Sequence, residues 1–227
     1  YNLHILIMVG INVIVASSLR QIATTGQLSL GHGGMTAVGA YTSALLVMKL
    51  GFSSWAALLL AGLASAGLAL LVGYPFVRLK GIYFSMVTIF LAEVIRLTIE
   101  EWRGLTLGAT GIYNIPHPDP IIIPGLLNID FTSLASFYYF ILILVLITLA
   151  FLYAIEHSRV GMTFLAIQQD DSLAESVGIK TARSKVLAFV IGCFFAGIAG
   201  AFYSQYVTVL VPSAFGLFFA IYCVVYV

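Results

Sequence analysis

Charged residues are scarce in this chain. Asp, Glu, Lys and Arg make up 8% of its 227 residues, whereas hydrophobic residues make up 61%, and the mean hydropathy is +1.08. Because soluble domains carry about 25% charged residues, this composition excludes a soluble domain and places the chain in a lipid bilayer. The formal net charge of +1 also argues against a nucleic-acid partner, since a phosphate-binding surface needs clustered Lys and Arg.

Cysteine is rare, and the common catalytic motifs are missing from the sequence. Cys193 and Cys223 both lie in apolar runs, which favours small buried side chains over a disulfide framework or a metal site. The sequence contains no His-Glu-x-x-His motif, no Gly-x-Ser-x-Gly motif and no paired aspartates within its apolar runs, which argues against an intramembrane enzyme. No lysine follows a glycine, so a Walker A phosphate loop is missing. We therefore expect no cofactor and no metal on this chain.

The first apolar run, residues 3–19, follows neither a methionine nor a basic segment and lacks a small-residue cleavage pattern. It is therefore not predicted to be a secretory signal. Apolar sequence also continues to the last residue, and the final run, residues 213–227, is shorter than the about 20 helical residues that cross a bilayer. We expect the chain to be a fragment truncated at both ends.

Long apolar runs predict an all-α integral membrane protein, a polytopic helical bundle that forms a single transmembrane domain over residues 1–227. Six runs are long enough to cross the bilayer or nearly so, and a partial seventh follows them. They cover residues 3–19, 34–49, 54–77, 81–99, 134–155, 186–207 and, in part, 213–227.

The distribution of basic residues predicts the orientation of the bundle. Placing the loop 156–185 in the cytoplasm puts seven basic residues on that side and two outside, as the positive-inside rule favours. The seven are Arg20, Arg78, Lys80, Arg159, Lys180, Arg183 and Lys185, and the two are Lys49 and Arg103. Residues 100–132 then form an external loop, in which Gly104, Gly108 and Gly111 and four prolines, the last of them Pro124, interrupt any helix.

Residues 23–34 do not fit a simple helical hairpin, because they are moderately polar and glycine-rich yet lie between two apolar runs. Irregular backbone is tolerated at membrane depth only where protein buries it or water lines it. We therefore predict a broken or re-entrant segment beside a pathway, with Gln27, Ser29 and His32 as pathway candidates. An ordinary cytoplasmic turn is the alternative for the segment, and helix capping or packing is the alternative for His32.

Small residues recur along two of the predicted spans. On the span 186–207 they stand four residues apart in two adjacent rows, Gly192, Ala196, Gly200 and Cys193, Gly197, Ala201. The span 54–77 carries Gly62, Ala66, Gly67 and Gly73. Because small residues let neighbouring backbones approach closely, we expect both sets to lie at helix–helix contacts.

Residues 158–185 form a polar island between two apolar runs, and this segment is called the island below. Four basic residues outnumber three acidic ones within it. Residues 174–177 predict a short helix that is stopped by Gly178, since glycine commonly ends helices. The island is where a membrane protein of this kind would present a surface to a partner.

Four parts of the chain carry recognisable short sequences, GQLSLGH at 26–32 with GAYT at 39–42, RLKGIYF at 78–84, TGI at 110–112, and SRVG at 158–161 with AGIAG at 196–200. Together they resemble the membrane permease subunits of bacterial ABC importers for branched-chain amino acids, in particular the second permease type. Their order and spacing match as well, and together they span nearly the whole chain.

The resemblance implies a multi-pass subunit of the bacterial inner membrane that moves branched-chain amino acids, urea or short amides. It also implies a second homologous permease, two ATP-binding cassette subunits that bind ATP and Mg²⁺, an external solute-binding protein and surrounding membrane lipid as partners. An ion-coupled secondary transporter or channel of small polar solutes is the alternative, but it would not require a polar island of this kind.

The island resembles the cytoplasmic coupling loop of members of this family, whose short helix docks in a groove of the ATPase. Ala174, Glu175, Gly178 and Ile179 match its usual pattern, and Arg159 and Gly161 are expected to set its approach. At Asp170 and Asp171 this sequence is more acidic than the family pattern, so the resemblance does not indicate what these two side chains contact. Both residues are included among the coupling candidates. A merely solvated basic loop is the alternative.

Glu93 and Arg96 lie within the predicted span 81–99 at positions i and i+3, so they share a helix face and neutralise each other. One hypothesis is that they line a pathway near the external mouth and meet the ammonium and carboxylate of an amino acid. The other is that they form an internal salt bridge that holds helices in register.

Overall fold

The computed structural model describes residues 2–79, 81–123, 127–129, 131 and 133–225. Lys80, Pro124, Thr132 and the last two residues of the predicted run 213–227 therefore lie outside the described residues.

Six long helices form the bundle, as the apolar runs predict. They are α1 (Asn2–Ala23), α2 (His32–Leu50), α3 (Ser54–Phe76), α4 (Ile82–Glu101), α6 (Leu134–Glu156) and α9 (Thr181–Val207). Shorter helices are α5 (Arg103–Thr106), α7 (Arg159–Gln169), α8 (Asp171–Ser176) and α10 (Leu217–Val225), and 3₁₀ turns cover Gly108–Thr110 and Pro212–Phe215. The prediction of an all-α polytopic membrane protein is confirmed.

Five of the helices, α1, α3, α4, α6 and α9, are long and apolar enough to cross a membrane. Helix α2 is less apolar because glycine, threonine and serine interrupt it, yet nearly all of its first 13 residues are buried. It packs against α3, α4 and α9. A helix that is surrounded by protein does not need a lipid-facing apolar surface, which explains its composition.

Contacts between helix ends define the two ends of the bundle. At one end, Arg20 of α1 bonds to Glu156 of α6, and this end also carries the island. At the other end, the start of α3 bonds to Asp119, and Ile112 pairs with Leu210 in an isolated β-bridge. We call these the island end and the cap end; they correspond to the sides predicted to face the cytoplasm and the exterior.

The segment between α4 and α6 contains a short antiparallel hairpin in addition to its irregular backbone. Strands β1 (Ile121–Ile123) and β2 (Leu127–Ile129) pair with Ile122 opposite Asn128. The glycines and prolines of this segment predicted the break in helical structure, but they did not indicate the hairpin.

Helix α9 lies at the centre of the bundle and is mostly buried. Its glycines face three different helices: a Cβ at Gly192 would lie 2.8 Å from Ser18 O of α1, one at Gly197 would lie 2.9 Å from Ala61 O of α3, and one at Gly200 would collide with Thr36 O of α2. Hydrogen atoms in place of side chains thus bring the backbone of α9 against three neighbours, as the small-residue rows predicted.

Two differences from the sequence prediction have simple causes. Helix α9 begins at Thr181 rather than at residue 186, because its first turns are polar and the prediction followed apolar residues only. Gly67 of α3 was expected at a helix contact, but a Cβ there would meet no atom within 4 Å. That expectation was wrong, whereas Gly62 and Gly73 do lie close to side chains of α9.

Replacement of Gly200 tests this packing. In Gly200→Ala the new methyl group would push α2 away from α9, and overpacking of this kind destabilises by about 1–3 kcal/mol. Gly67→Ala adds the same methyl group to a helix where nothing opposes it, so it should leave stability unchanged or raise it by about 0.5–1 kcal/mol. Thermal unfolding of both variants in detergent measures the difference; equal unfolding temperatures would contradict the packing.

Candidate functional site

The irregular segment 24–31 between α1 and α2 is half buried, with Gly26 and Leu28 exposed. Thr25, Gln27 and Ser29 expose at most 2% of their surface. Gln27 Nε2 donates to Val77 O and Leu79 O, both at 3.3 Å, so its side chain satisfies carbonyl groups where α3 ends. The segment is therefore irregular backbone that packs against protein but is only partly enclosed by it.

The same segment is bonded to the first turns of α4. Leu30 N donates to Thr88 Oγ1 at 3.1 Å, and Ser85 Oγ donates to Leu28 O at 2.6 Å. Gly31 allows this approach, because a Cβ there would lie 2.7 Å from Thr88 O. Side chains of α4 thus replace the backbone partners that a helix would otherwise supply.

His32 is the first residue of α2 and exposes 1% of its surface. Its Nε2 lies 3.0 Å from Ser18 Oγ. Because the Ser18 hydroxyl donates to Val15 O at 2.8 Å, Nε2–H of His32 is the donor to Ser18, and Nδ1 is an acceptor without a hydrogen-bond partner among the described residues. Ser18 lies five residues before the end of α1, about 7.5 Å along that helix, so the segment turns back into the bundle before α2 begins.

A cavity of about 270 Å³ lies one turn further along α2, between α1, α9 and α10. Thr36, Asn12, Tyr203 and Tyr222 supply its polar lining, and Met8, Ile11, Phe215 and Phe219 supply most of its apolar walls. Its lining carries no charged side chain. These residues could not be grouped from the sequence, because they come from helices at the two ends of the chain.

Arg96 joins two carboxylates on α4. Its guanidinium lies 2.6 Å from Glu93 Oε1 and 2.6 Å from Glu100 Oε2, and its Nε also donates to Glu93 at 3.0 Å. All three residues belong to α4, so this salt bridge joins no second helix. The side chains of Glu93, Arg96 and Glu100 are 44%, 22% and 35% exposed. No hydrogen bond among the described residues links them to Gln27, Ser29 or His32.

The island folds as two helices that meet at Asp170. Ser158 accepts hydrogen bonds at the start of α7, and Arg159 is exposed beside it. Gly161 packs against the carbonyl groups of Ile155 and Glu156, where a Cβ would collide. The corner between α6 and α7 is therefore tight, and it requires glycine at 161.

Helix α8 is capped at both ends by its own sequence. Asp170 Oδ1 accepts from Ser172 N at 2.7 Å. At the other end, Gly178 N donates to Glu175 O and Ile179 N donates to Ala174 O, which is the Schellman pattern. Gly178 has φ +87°, a conformation that glycine adopts without strain. These caps fix a helix of six residues that would not persist alone.

The acidic residues of α8 bind the start of α9. Asp171 Oδ2 lies 2.6 Å from Lys185 Nζ, and Thr181 Oγ1 donates to Glu175 Oε1 at 2.6 Å. The Lys185 side chain is only 7% exposed, so this ion pair is shielded from water. Ala174 lies on the same side and is buried. Asp171, whose charge departs from the family pattern, thus forms an ion pair with another helix of the same chain.

Two apolar side chains face away from α9 on the opposite side of α8. Leu173 is 66% exposed and Val177 is 75% exposed. Neither was selected from the sequence, because both stand among polar residues and gave no periodic signal in so short a helix. Together they form a small apolar surface on the outer side of the island.

The island also contacts the irregular segment. Gln168 Nε2 of α7 donates to Ala23 O at the end of α1, at 3.4 Å, and Gly26 lies against the Gln168 backbone. Residues 24–31 are therefore bounded by α7 on one side and by the ends of α3 and α4 on the other.

Comparison with known proteins identifies the chain's relatives. The chain is 31% identical over 233 residues to the high-affinity branched-chain amino acid transport system permease protein LivM of Salmonella typhimurium. It is 30% identical over 236 residues to LivM of Escherichia coli. In each case the alignment covers 94% of this chain and 52% of the relative, so the chain spans about half the length of these curated relatives. No solved structure gave a significant match.

The model of one protein family, described as the branched-chain amino acid transport system / permease component, matches residues 1–227, the whole chain. The order of motifs from residue 26 to residue 200 predicted this relationship, and it is confirmed. The chain belongs to the family of branched-chain amino acid transport system permease components.

Proposed function

We propose that this chain is a permease subunit of an ATP-driven importer that carries branched-chain amino acids across the bacterial inner membrane. The observation that carries the proposal is the rigid attachment of α8 to α9 through Asp171–Lys185 and Glu175–Thr181. A helix fixed in this way, with Leu173 and Val177 facing outward, is suited to transmit the movement of a partner. Family membership and the names of the relatives supply the substrate class.

ATP and Mg²⁺ would be bound by partner ATPase subunits, because the sequence offers no Walker A loop. A second permease would complete the transmembrane unit, and an external binding protein would deliver the substrate. The apolar surface of α8 is of the kind that fits a groove, with Leu173 and Val177 as the anchors that lose the most exposed area on docking. Arg159 would stand at the edge of that contact.

Movement of α8 would reach the bundle by two routes. The first passes through the ion pair into α9, whose glycines lie against α1, α2 and α3. The second passes through α7 and Gln168 into the irregular segment, and then through Gln27 and Thr88 to the adjoining ends of α3 and α4. Packed elements of this kind move as rigid bodies, so closure of the ATPases would shift the helix ends around residues 24–31.

The substrate pathway would pass the buried segment with Gln27, Ser29 and His32 and the uncharged cavity beside Thr36. Glu93 and Arg96 would lie nearer the cap end, where a zwitterionic amino acid would meet both charge signs. Charged side chains exposed within a spanning helix are costly against lipid, which favours water or protein on that face. Urea or a short amide is the other substrate class that this uncharged lining would admit.

Reconstitution tests the proposed function. The full-length protein would be placed in liposomes with its ATPases, second permease and binding protein, and uptake of labelled leucine and urea would be measured with and without internal ATP. ATP-dependent leucine uptake supports the proposal, and ATP-dependent urea uptake would change the substrate. Uptake driven by an ion gradient without ATP would contradict it.

Replacement of Gly178 tests the coupling helix. Gly178→Ala forces an alanine into φ +87°, a left-handed conformation that costs about 1–2 kcal/mol for a residue with a Cβ and loosens the end of α8. We expect ATP hydrolysis to continue while uptake per ATP falls several-fold. Glu175→Gln should act in the same direction, because it weakens the bond to Thr181. Uptake and hydrolysis would be measured together in the reconstituted importer.

Gly51 supplies the matched control for that experiment. It ends α2 at the cap end with φ +64°, and, as at Gly178, a Cβ there would meet no atom within 4 Å. Gly51→Ala therefore introduces similar backbone strain at the opposite end of the bundle and should leave coupling unchanged. If both variants couple normally, or both fail equally, α8 is not the coupling element.

Replacement of Glu93 tests the pathway hypothesis. Glu93→Gln removes the deeper carboxylate of α4, and we expect leucine uptake to fall about tenfold or more, as when one charge-assisted contact is lost, with normal membrane yield. Glu100→Gln removes the other partner of Arg96 at the very end of α4 and should have a smaller effect. Uptake at the wild-type rate in the Glu93 variant would instead favour a purely structural ion pair within α4.

A further inference from the structure

A groove of about 430 Å³ runs between α1 and α6 at the island end of the bundle. We propose that it binds an aminophospholipid with a phosphoethanolamine headgroup. The headgroup would lie at Arg20 and Glu156, and an acyl chain would follow the groove towards the middle of the bilayer. This proposal concerns a surface outside the substrate pathway and does not depend on the proposed transport activity.

The two walls of the groove differ in polarity. The last turns of α1 and the residue that follows it contribute Ser17, Arg20, Gln21 and Thr24, and α6 contributes Leu146, Leu149, Ala150, Leu152, Tyr153 and Glu156. Apart from Leu152, both sets follow the helical spacing of three and four residues, which places each mainly on one face. Residue 146 lies ten positions before Glu156, about 15 Å along the helix, so the apolar wall extends across about half of the hydrocarbon layer.

The charges stand at one end of this groove. Arg20 Nη2 lies 2.9 Å from Glu156 Oε1, and the two side chains are 60% and 31% exposed. Arg20 lies in the last turn of α1 and Glu156 is the last residue of α6, at the depth where helices leave the hydrocarbon. A guanidinium binds phosphate oxygens well, and a carboxylate accepts hydrogen bonds from a primary ammonium.

The pattern of charge selects the type of lipid. A purely anionic headgroup would be attracted by Arg20 but repelled by Glu156, whereas a zwitterion satisfies both. Phosphatidylcholine has the same phosphate, but its quaternary ammonium carries no N–H to donate to Glu156. The pair therefore favours a primary ammonium beside a phosphate.

Lipid fits this groove better than a protein helix or a free solute does. Leu146, Leu149 and Tyr153 are 59%, 41% and 64% exposed on the surface of the bundle, on helices apolar enough to span a membrane. The charged pair stands at one end of the groove and the α6 wall beyond it is apolar, which reproduces the polarity of a lipid from headgroup to acyl chain. Its volume lies within the usual range of about 300–1,000 Å³ for ligand sites.

Native mass spectrometry of the full-length protein tests the proposal. The protein would be exchanged into micelles with equal amounts of phosphatidylethanolamine, phosphatidylcholine and phosphatidylglycerol of identical acyl chains, and retained lipid would be counted. We expect phosphatidylethanolamine to be retained about tenfold over phosphatidylcholine, the effect of one charge-assisted hydrogen bond. Equal retention of these two lipids by the wild-type protein would overturn the proposal without any variant.

Variants locate the site. Glu156→Gln should remove the preference for phosphatidylethanolamine over phosphatidylcholine, and Arg20→Gln should lower retention of both. Arg78→Gln is the control, because Arg78 is an exposed arginine at the same end that contacts only Tyr74 among the contacts described, and it should change neither quantity. An unchanged preference in Glu156→Gln would place the lipid elsewhere. If the wild-type protein retains none of the three lipids, and the Leu149→Cys variant forms a cross-link to the second permease, the groove is a subunit interface instead.

Discussion

Close backbone contact between α9 and its three neighbours holds the helical bundle together. Without a side chain at Gly192, Gly197 and Gly200, the backbone of α9 reaches Ser18, Ala61 and Thr36 on three separate helices. Helices gain little hydrophobic free energy from association in lipid, so such packing is a main source of cohesion. The same helix begins at the island, so whatever acts on the island acts on the centre of the bundle.

The buried polar groups follow from this arrangement. After Gly26 the segment leaves the helical pattern, and its residues Gln27 and Ser29 are buried away from water. Thr88 accepts from Leu30 N and Ser85 donates to Leu28 O, while the Gln27 side chain donates to carbonyl groups where α3 ends. Such partners are the condition under which irregular backbone persists at membrane depth. Together with the bond from Gln168 of α7 to Ala23 O, these bonds connect the ends of α1 and α3 and the first turns of α4 to α7, so this irregular segment is a place where four helices meet.

Local patterns predicted most of the fold and part of the site. Apolar runs located the helices, and glycine spacing located the packing face of α9, because both signals depend on near neighbours in sequence. Gly67 shows the limit of such patterns. It belongs to a row of small residues on α3, but a Cβ there would meet no atom within 4 Å. The contacts of Asp171 with Lys185 and of Gln27 with Val77 span 14 and 50 positions, and no local period encodes them. The exposed apolar surface of Leu173 and Val177 could be identified only from the structure, which shows that Asp171 and Glu175 face α9.

Helices α8 and α9 are expected to move as one rigid unit, and a distance within that unit measures this. Spin labels at Ser176→Cys in α8 and Thr208→Cys at the far end of α9, with the buried Cys193 and Cys223 replaced by alanine, would report the distance by pulsed electron paramagnetic resonance. We expect one narrow distance distribution that stays the same, with and without ATP, when the proposed ATPase partners are present. A distribution that shifts or broadens when ATP is added would mean that α8 moves independently of α9.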